Sequence, residues 1–352
     1  MQKYTLQMSS NFYRKIIFIL TLLISLSAFS ENVAEGSNEK EGEEKFNAIE
    51  VIMHHVSDSH EWHICSIGEN HITIPLPVIL YSSTKGLVCF MSDNFHNAAH
   101  KYQSYKIEHE HILSEDTGET IFDISITKNV ASMMMSALIL IFIFCTVAGS
   151  LRRNAGQAPR GIQSFFEPLV IFVRDEIAKP YIGDKYARFL PYLLTVFFFI
   201  WLNNLMGIIP SGANLTGNIA VTLTLSVFTL IITNVSANGA YWGHIFAPPV
   251  PVMIWPIMIP VEIISIFTKP FALMIRLFAN ITAGHIIILS IVSMIFMFKN
   301  LLVAGAAIPF AIVMDVLEFG VAALQAYIFT LLSALFIGQA VAEHEHHDDD
   351  HH

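Results

Sequence analysis

The sequence predicts an all-α integral membrane protein of about five transmembrane helices, two of them long and tilted. One cytoplasmic amphipathic helix and a small exported β-rich insert near the N-terminus complete it. Three observations predict this class. Of 352 residues 54% are hydrophobic and only 14% charged, against about 25% charged in an ordinary soluble domain. The acidic residues behind the net charge of −10 gather before residue 125 and in the last ten residues, which leaves the body between nearly uncharged. That body divides into apolar runs of the ~20 residues a bilayer needs, or about twice that length. The same charge balance argues against a nucleic-acid partner, which would require a basic face.

At the N-terminus, Arg14 and Lys15 precede a short apolar run that ends in the small-x-small triplet Ala28-Phe29-Ser30. Residues 1–30 therefore read as a signal peptide, and the acidic stretch 31–48 as a linker. Residues 49–127 read as an exported, His-rich, β-rich insert. In His71–Ser83, Lys85–Ser92 and Glu119–Thr127, β-branched and aromatic residues alternate with polar ones between turn signals. The insert's nine histidines follow no standard ligand spacing, so no metal site is predicted. Cys65 and Cys89 could pair in an exported segment, whereas Cys145 lies in an apolar run and reads as packed there.

The membrane domain, 128–341, opens with "VASMMMSALILIFIFCTVAGS" from Val130, followed by Arg152, Arg153 and Arg160. Positive flanking charge marks the cytoplasmic side, so the insert is exported, in agreement with a signal peptide. "IQSFFEPLVIFVRDEIAKPYIGDKYARF" from Ile162 mixes apolar and charged residues and suits an amphipathic cytoplasmic helix. Spans follow at 190–210 and 218–234, with Pro210, Gly212 and Gly217 in the turn between them. Residues 252–297 and 301–341 each exceed 40 residues. As single helices they would run roughly 60–70 Å, so each is either broken or steeply tilted. Five crossings from an exported start place the polar His/Asp tail at 342–352 in the cytoplasm.

Polar residues are few in the two long segments: Glu262, Lys269, Arg276, Asn280 and His285 in the first, Asp315, Glu318 and Gln325 in the second. Lipid rejects such groups, so each marks a function or a partner. Glu262, Lys269 and Arg276 are seven apart and share one stripe, with Asn280 a turn further on, while His285 lies about 180° round from Arg276. Three arrangements fit these residue types. A permanent Arg276–Glu318 salt bridge would be structural. An anion site would require more donors and unwound, glycine-rich turns. A proton path would require titratable groups, here His285 and Glu318, leading to a fixed positive charge, here Arg276. The third fits best.

"PFALMIRLFANITAGH" from Pro270, "LQAYIFTLL" from Leu324 and the run Phe172–Pro210 resemble, in this order, signatures of the stator subunit a of F-type ATP synthases. The resemblance covers roughly residues 129–341 and leaves the insert outside it. It implies a proton-translocating stator of the Fo sector in a bacterial inner membrane, with the c-ring, the peripheral stalk subunit b and membrane lipid as partners. Arg276 would sit between two half-channels, stabilising the deprotonated rotor carboxylate and blocking a direct proton leak. His285 and Glu318 match the paired groups of the exported-side half-channel, in the reverse of the order some members show. Asn204 matches a polar channel position, Asn280 and Gln325 match polar neighbours of the arginine, and Glu262 matches a carboxylate of the cytoplasmic half-channel. Gly207 and Ala131 stand where some members carry Asp, so the exported-side lining differs from theirs.

No cofactor is implied, and no phosphate-binding G-x-x-x-x-G-K-[ST] loop is present in the sequence, which points to a non-catalytic subunit. A secondary transporter with Arg276 as substrate anchor is the alternative, but it would favour internal repeats, and none is seen. A His-rich metal-binding export module would leave the charged stripe unexplained.

Overall fold

The computed structural model describes residues 58–67, 70–95, 101–102, 104–108, 111–114, 120–153, 158–209, 212–248, 250–298 and 300–342. The signal peptide and linker expected at 1–48, and all of the tail but its first residue, lie outside them. The chain forms two compact units. One comprises Met1–Ala131, Met206–Ala213 and Ile288–Asp315; the other comprises Ser132–Leu205, Asn214–Ile287 and Val316–His352.

In the first unit the insert is built from short antiparallel strands. β1 (Glu61–Ile67) pairs with β2 (Asn70–Pro75). β3 (Pro77–Ser82) is the centre of a three-stranded sheet, between β4 (Gly86–Met91) and β8 (Ile121–Asp123). β5 (Lys101–Tyr102), β6 (Tyr105–Glu108) and β7 (His111–Ser114) form a third sheet. Alternation places Val78, Leu80 and Ser82 of β3 inside and Tyr81 outside. Val78 and Leu80 pack with Phe90, Phe95, Tyr105 and Ile112 as a small core. Gly86 closes the β3–β4 turn at φ 74°, a backbone state that other residues adopt only with strain. Cys89 is a free, exposed thiol, and the side chain of Cys65, its possible partner, lies outside the described residues.

Within this unit, residues near the start of the insert cap the first turn of the first helix, α1 (Lys128–Arg153). The Lys128 amide donates to Ser59 O at 2.8 Å, and the Asn129 amide donates to Asp58 Oδ1 at 3.1 Å. Both are first-turn donors with no partner inside the helix. His60, the one histidine of the insert whose side chain is described, is 4% exposed with Nε2 2.9 Å from Asp123 Oδ2. Partial burial alone would raise the Asp123 pKa, but the His60 contact and the hydrogen bonds from Ser125 outweigh it and hold the carboxyl down at about 2. A folded-state pKa below the unfolded value of about 3.9 contributes stability that is complete above pH ~4 and is lost as pH falls towards ~2. Hydrogen exchange of β3 and β8 in the intact protein should therefore accelerate through that window more steeply in the wild type than in Asp123→Asn. Equal pH slopes in the two proteins would contradict the assignment.

The helices follow in the order the hydropathy predicts. α1 is succeeded by α2 (Ile162–Phe172), which continues through a π turn (Val173–Ala178) into α3 (Lys179–Ile182). Then come α4 (Tyr186–Ile208), α5 (Ile219–Val235), α6 (Gly239–Phe246), α7 (Trp255–Phe298) and α8 (Leu301–Val341). Four stretches are long and apolar enough to cross a membrane, and α5 with α6, bent by 100°, makes up to five. α7 and α8 have 44 and 41 residues and run unbroken, although Pro260 and Pro270 lie inside one and Pro309 inside the other. Of the two alternatives for these segments, the broken helix is excluded.

In the second unit the core joins Val173 and Ile177 of the π turn to Leu193 and Ile200 of α4, Leu273 and Leu277 of α7, and Ala326, Phe329 and Ile337 of α8. The α2–α3 run buries one side and carries charge on another. Val173, Ile177 and Ala178 are buried, while Asp175 binds Arg174 at 2.8 Å and Lys179 at 2.7 Å, with all three side chains partly exposed. Gly338 of α8 lies directly against the Tyr181 carbonyl. Along α5, Thr222, Ser226, Thr229 and Thr233 form a buried hydroxyl stripe, and small polar side chains of this kind let membrane helices pack closely. Cys145 is exposed on the apolar surface of α1, contrary to the expectation that it would be packed.

Candidate functional site

The polar residues singled out in α4, α7 and α8 fall into three places along α7. The middle one is Arg276. It is exposed, as are Ala279, Asn280 and Ala283, which share its helical face by spacing. Among the described residues its guanidinium has no carboxylate partner, so the permanent Arg276–Glu318 salt bridge weighed from the sequence is not formed. Gln325 of α8, 2% exposed, donates from Nε2 to the Arg276 carbonyl at 3.0 Å. That bond pins α8 to α7 at the level of the arginine while leaving the guanidinium on the outer face.

The second place lies further along α7, where Gly284, next to His285 in sequence, meets Glu318. A Cβ added to Gly284 would stand 3.3 Å from Glu318 Oε1, so glycine makes room for this carboxylate beside His285. Glu318 is 8% exposed and His285 half-buried. One helical turn beyond Glu318, Asn204 of α4 donates from Nδ2 to the Ala322 carbonyl at 3.2 Å and accepts from the Thr216 hydroxyl at 2.7 Å. Both ends of the buried Asn204 amide are thus engaged, and they join α4 and the 215–217 turn to α8 near Glu318.

The third place is at the start of α7. Glu262 lines a cavity of about 260 Å³ with Tyr241, His244, Ser265, Lys269 and Gln339. Lys269 Nζ donates to Gln339 Oε1 at 3.1 Å and stands 5.4 Å above the Phe336 ring. Glu262 lies about 21 Å along the axis from Arg276, and His285 about 13 Å on the other side. Sequence reasoning missed Tyr241, His244 and Gln339. The first two sit on a helix of eight residues, too short for a periodic pattern, and Gln339 lies among the last residues of an apolar helix.

Chemically, the arrangement places titratable groups at two separated levels, with a cation that cannot be titrated near neutrality between them. The cation faces outward, on a surface of small residues. An arginine facing hydrocarbon would cost several kcal/mol.

The sequence profile described as ATP synthase A chain matches residues 130–338, and a domain of unknown function matches residues 51–133. The chain is 54% identical over 234 residues to "ATP synthase subunit a 2" of Chlorobaculum tepidum, covering 64% of this chain and 66% of that protein. It is 49% identical over 236 residues to "ATP synthase subunit a" of Chloroherpeton thalassium, covering 65% and 71%. Against the protein of that name from Chlorobium phaeobacteroides strain DSM 266, the identity is 42% over 317 residues, covering 88% and 79%. The longer alignment takes in most of the insert as well as the helices.

Proposed function

The chain belongs to the ATP synthase A chain family, whose profile spans residues 130–338, and on that premise we propose that it is the proton-translocating stator subunit of the Fo sector. It is a multi-pass membrane subunit of a larger complex and carries no ATP chemistry of its own. The partner on the Arg276 face is the c-ring, and the α2–α3 surface contacts the peripheral stalk subunit b. Arg152 and Arg153 close α1 on the cytoplasmic side. The insert is then exported, the end of α8 is cytoplasmic, and the complex lies in the bacterial inner membrane.

Each remaining residue has a role in this reading. His285 and Glu318 exchange protons with the exported side, and Asn204 holds the Ala322 carbonyl near them. Glu262 serves the cytoplasmic half-channel. Arg276, flanked by Asn280 and backed by Gln325, divides the two paths and attracts the deprotonated rotor carboxylate. Moving one charge through 100 mV releases about 2.3 kcal/mol, so several protons must pass for each ATP made.

The observation that carries this reading is the exposed Arg276 guanidinium without a carboxylate partner among the described residues. A transporter that used Arg276 as its substrate anchor would hold it inside the bundle instead. Inverted vesicles from cells deleted for this chain should show no ATP-driven acidification and should regain it when the chain is restored. Acidification that persists at the wild-type rate without the chain would refute the assignment.

A further inference from the structure

The cavity at the start of α7 is wide enough for several waters, and its position is fixed by hydrogen bonds. Asn238, just before α6, donates from its backbone amide to the Ala340 carbonyl at 2.8 Å and from Nδ2 to the Val341 carbonyl at 2.8 Å. These bonds lock α6 to the end of α8, and His244 lines the cavity together with Glu262 and Lys269. His244 is exposed and Glu262 is half-buried, so the imidazole meets bulk water first. Lys269 and Tyr241 also bound a second, water-sized cavity of about 10 Å³, lined by Thr229, Thr233 and Asn234. There the buried Thr233 hydroxyl and Asn234 amide oxygen have no hydrogen-bond partner in the protein, which marks a place for a bound water. The two cavities share Tyr241 and Lys269 as lining residues.

We propose that His244 is the proton-loading group of the cytoplasmic path, taking protons from bulk water and passing them through cavity water to the Glu262 carboxylate. The inference rests on the stator reading. It adds a residue on α6 that the polar stripes of α7 and α8 do not include. Imidazole can accept and release a proton near neutrality. In one transfer the His244 imidazolium N–H bond breaks towards a water, that water gives a proton to a Glu262 oxygen, and bulk water reprotonates the ring. Among the described residues, the charged and titratable groups lining the cavity with His244 are Glu262 and Lys269 of α7 and Tyr241 of its own helix. Lys269 is held beside this path by its hydrogen bond to Gln339.

The test uses the intact synthase in inverted vesicles, where ATP-driven pumping draws protons from the medium through the cytoplasmic path. His244→Ala and His244→Gln, each confirmed to be assembled, should pump about tenfold more slowly than wild type near pH 8.5, where protons are scarce. The deficit should shrink towards pH ~6, and added imidazole should relieve it. Wild-type rates at every pH overturn the inference, as does a pH-independent deficit that imidazole leaves unchanged. Arg276→Ala, run alongside, separates the two levels. Loss of pumping there with wild-type behaviour of both His244 variants sinks only this inference, whereas normal pumping by Arg276→Ala sinks the stator reading beneath it.

Discussion

Arg276→Ala should abolish ATP-driven proton pumping, lowering the initial rate by at least about a hundredfold, while the subunit still assembles and ATP hydrolysis persists. The guanidinium stands on an exposed face of α7 and takes no part in holding α8, because Gln325 binds the Arg276 backbone carbonyl and not the side chain. Removing the side chain therefore costs little packing. What is lost is the charge that stabilises a desolvated carboxylate, and breaking such a pair costs about 3–5 kcal/mol, or roughly two to four orders of magnitude in rate. Arg276→Lys should fail as well, because an ammonium lacks the planar fork and loses its proton more readily when desolvated. Acidification rates and ATPase activity, measured on the same vesicles with the subunit quantified, separate lost coupling from lost assembly. Near-normal pumping in Arg276→Ala would make the arginine a structural guest.

Gly338→Val should have the largest effect on stability. The Gly338 backbone rests against the Tyr181 carbonyl, so even a single Cβ would collide with backbone atoms that cannot rotate away. Either α3 must lift from α8 or α8 must shift. The neighbours of this contact include Ile177, Ile182 and Ile337, all in the central cluster. Overpacking of this kind costs about 1–3 kcal/mol and sometimes more. Gly338→Ala should lower the unfolding temperature of the purified complex in detergent, and Gly338→Val should lower it further and reduce the amount recovered from membranes. Unfolding temperatures equal to wild type in both would mean that the helices can separate here without cost.

Much of this was legible in the sequence, because lipid leaves a chain few choices. Apolar runs of bilayer length located α1, α4, α5, α7 and α8, and the seven-residue spacing of Glu262, Lys269 and Arg276 placed them on one stripe. Hydropathy could not decide whether the two longest segments were broken. Pro260, Pro270 and Pro309 lie inside these helices, which continue through them, since neighbouring groups in a membrane bundle satisfy what proline frees. Short elements were missed for lack of pattern: β5 to β7 have two to four residues each, and α6 has eight. Pairings between distant residues, such as His60 with Asp123 and Asn238 with Val341, depend on the folded chain and leave no local signal. A stripe on a helix wheel does not say which side faces protein, so the outward direction of Arg276 came from the structure alone.

That outward direction is the centre of the account, and a structure of the intact complex in a bilayer tests it most directly. A rotor helix should lie against the Arg276, Ala279, Asn280 and Ala283 face, with its carboxylate within about 4 Å of the guanidinium in at least one rotary state. Arg276 facing lipid, or packed on a static helix while the rotor contacts another side of α7, would contradict it.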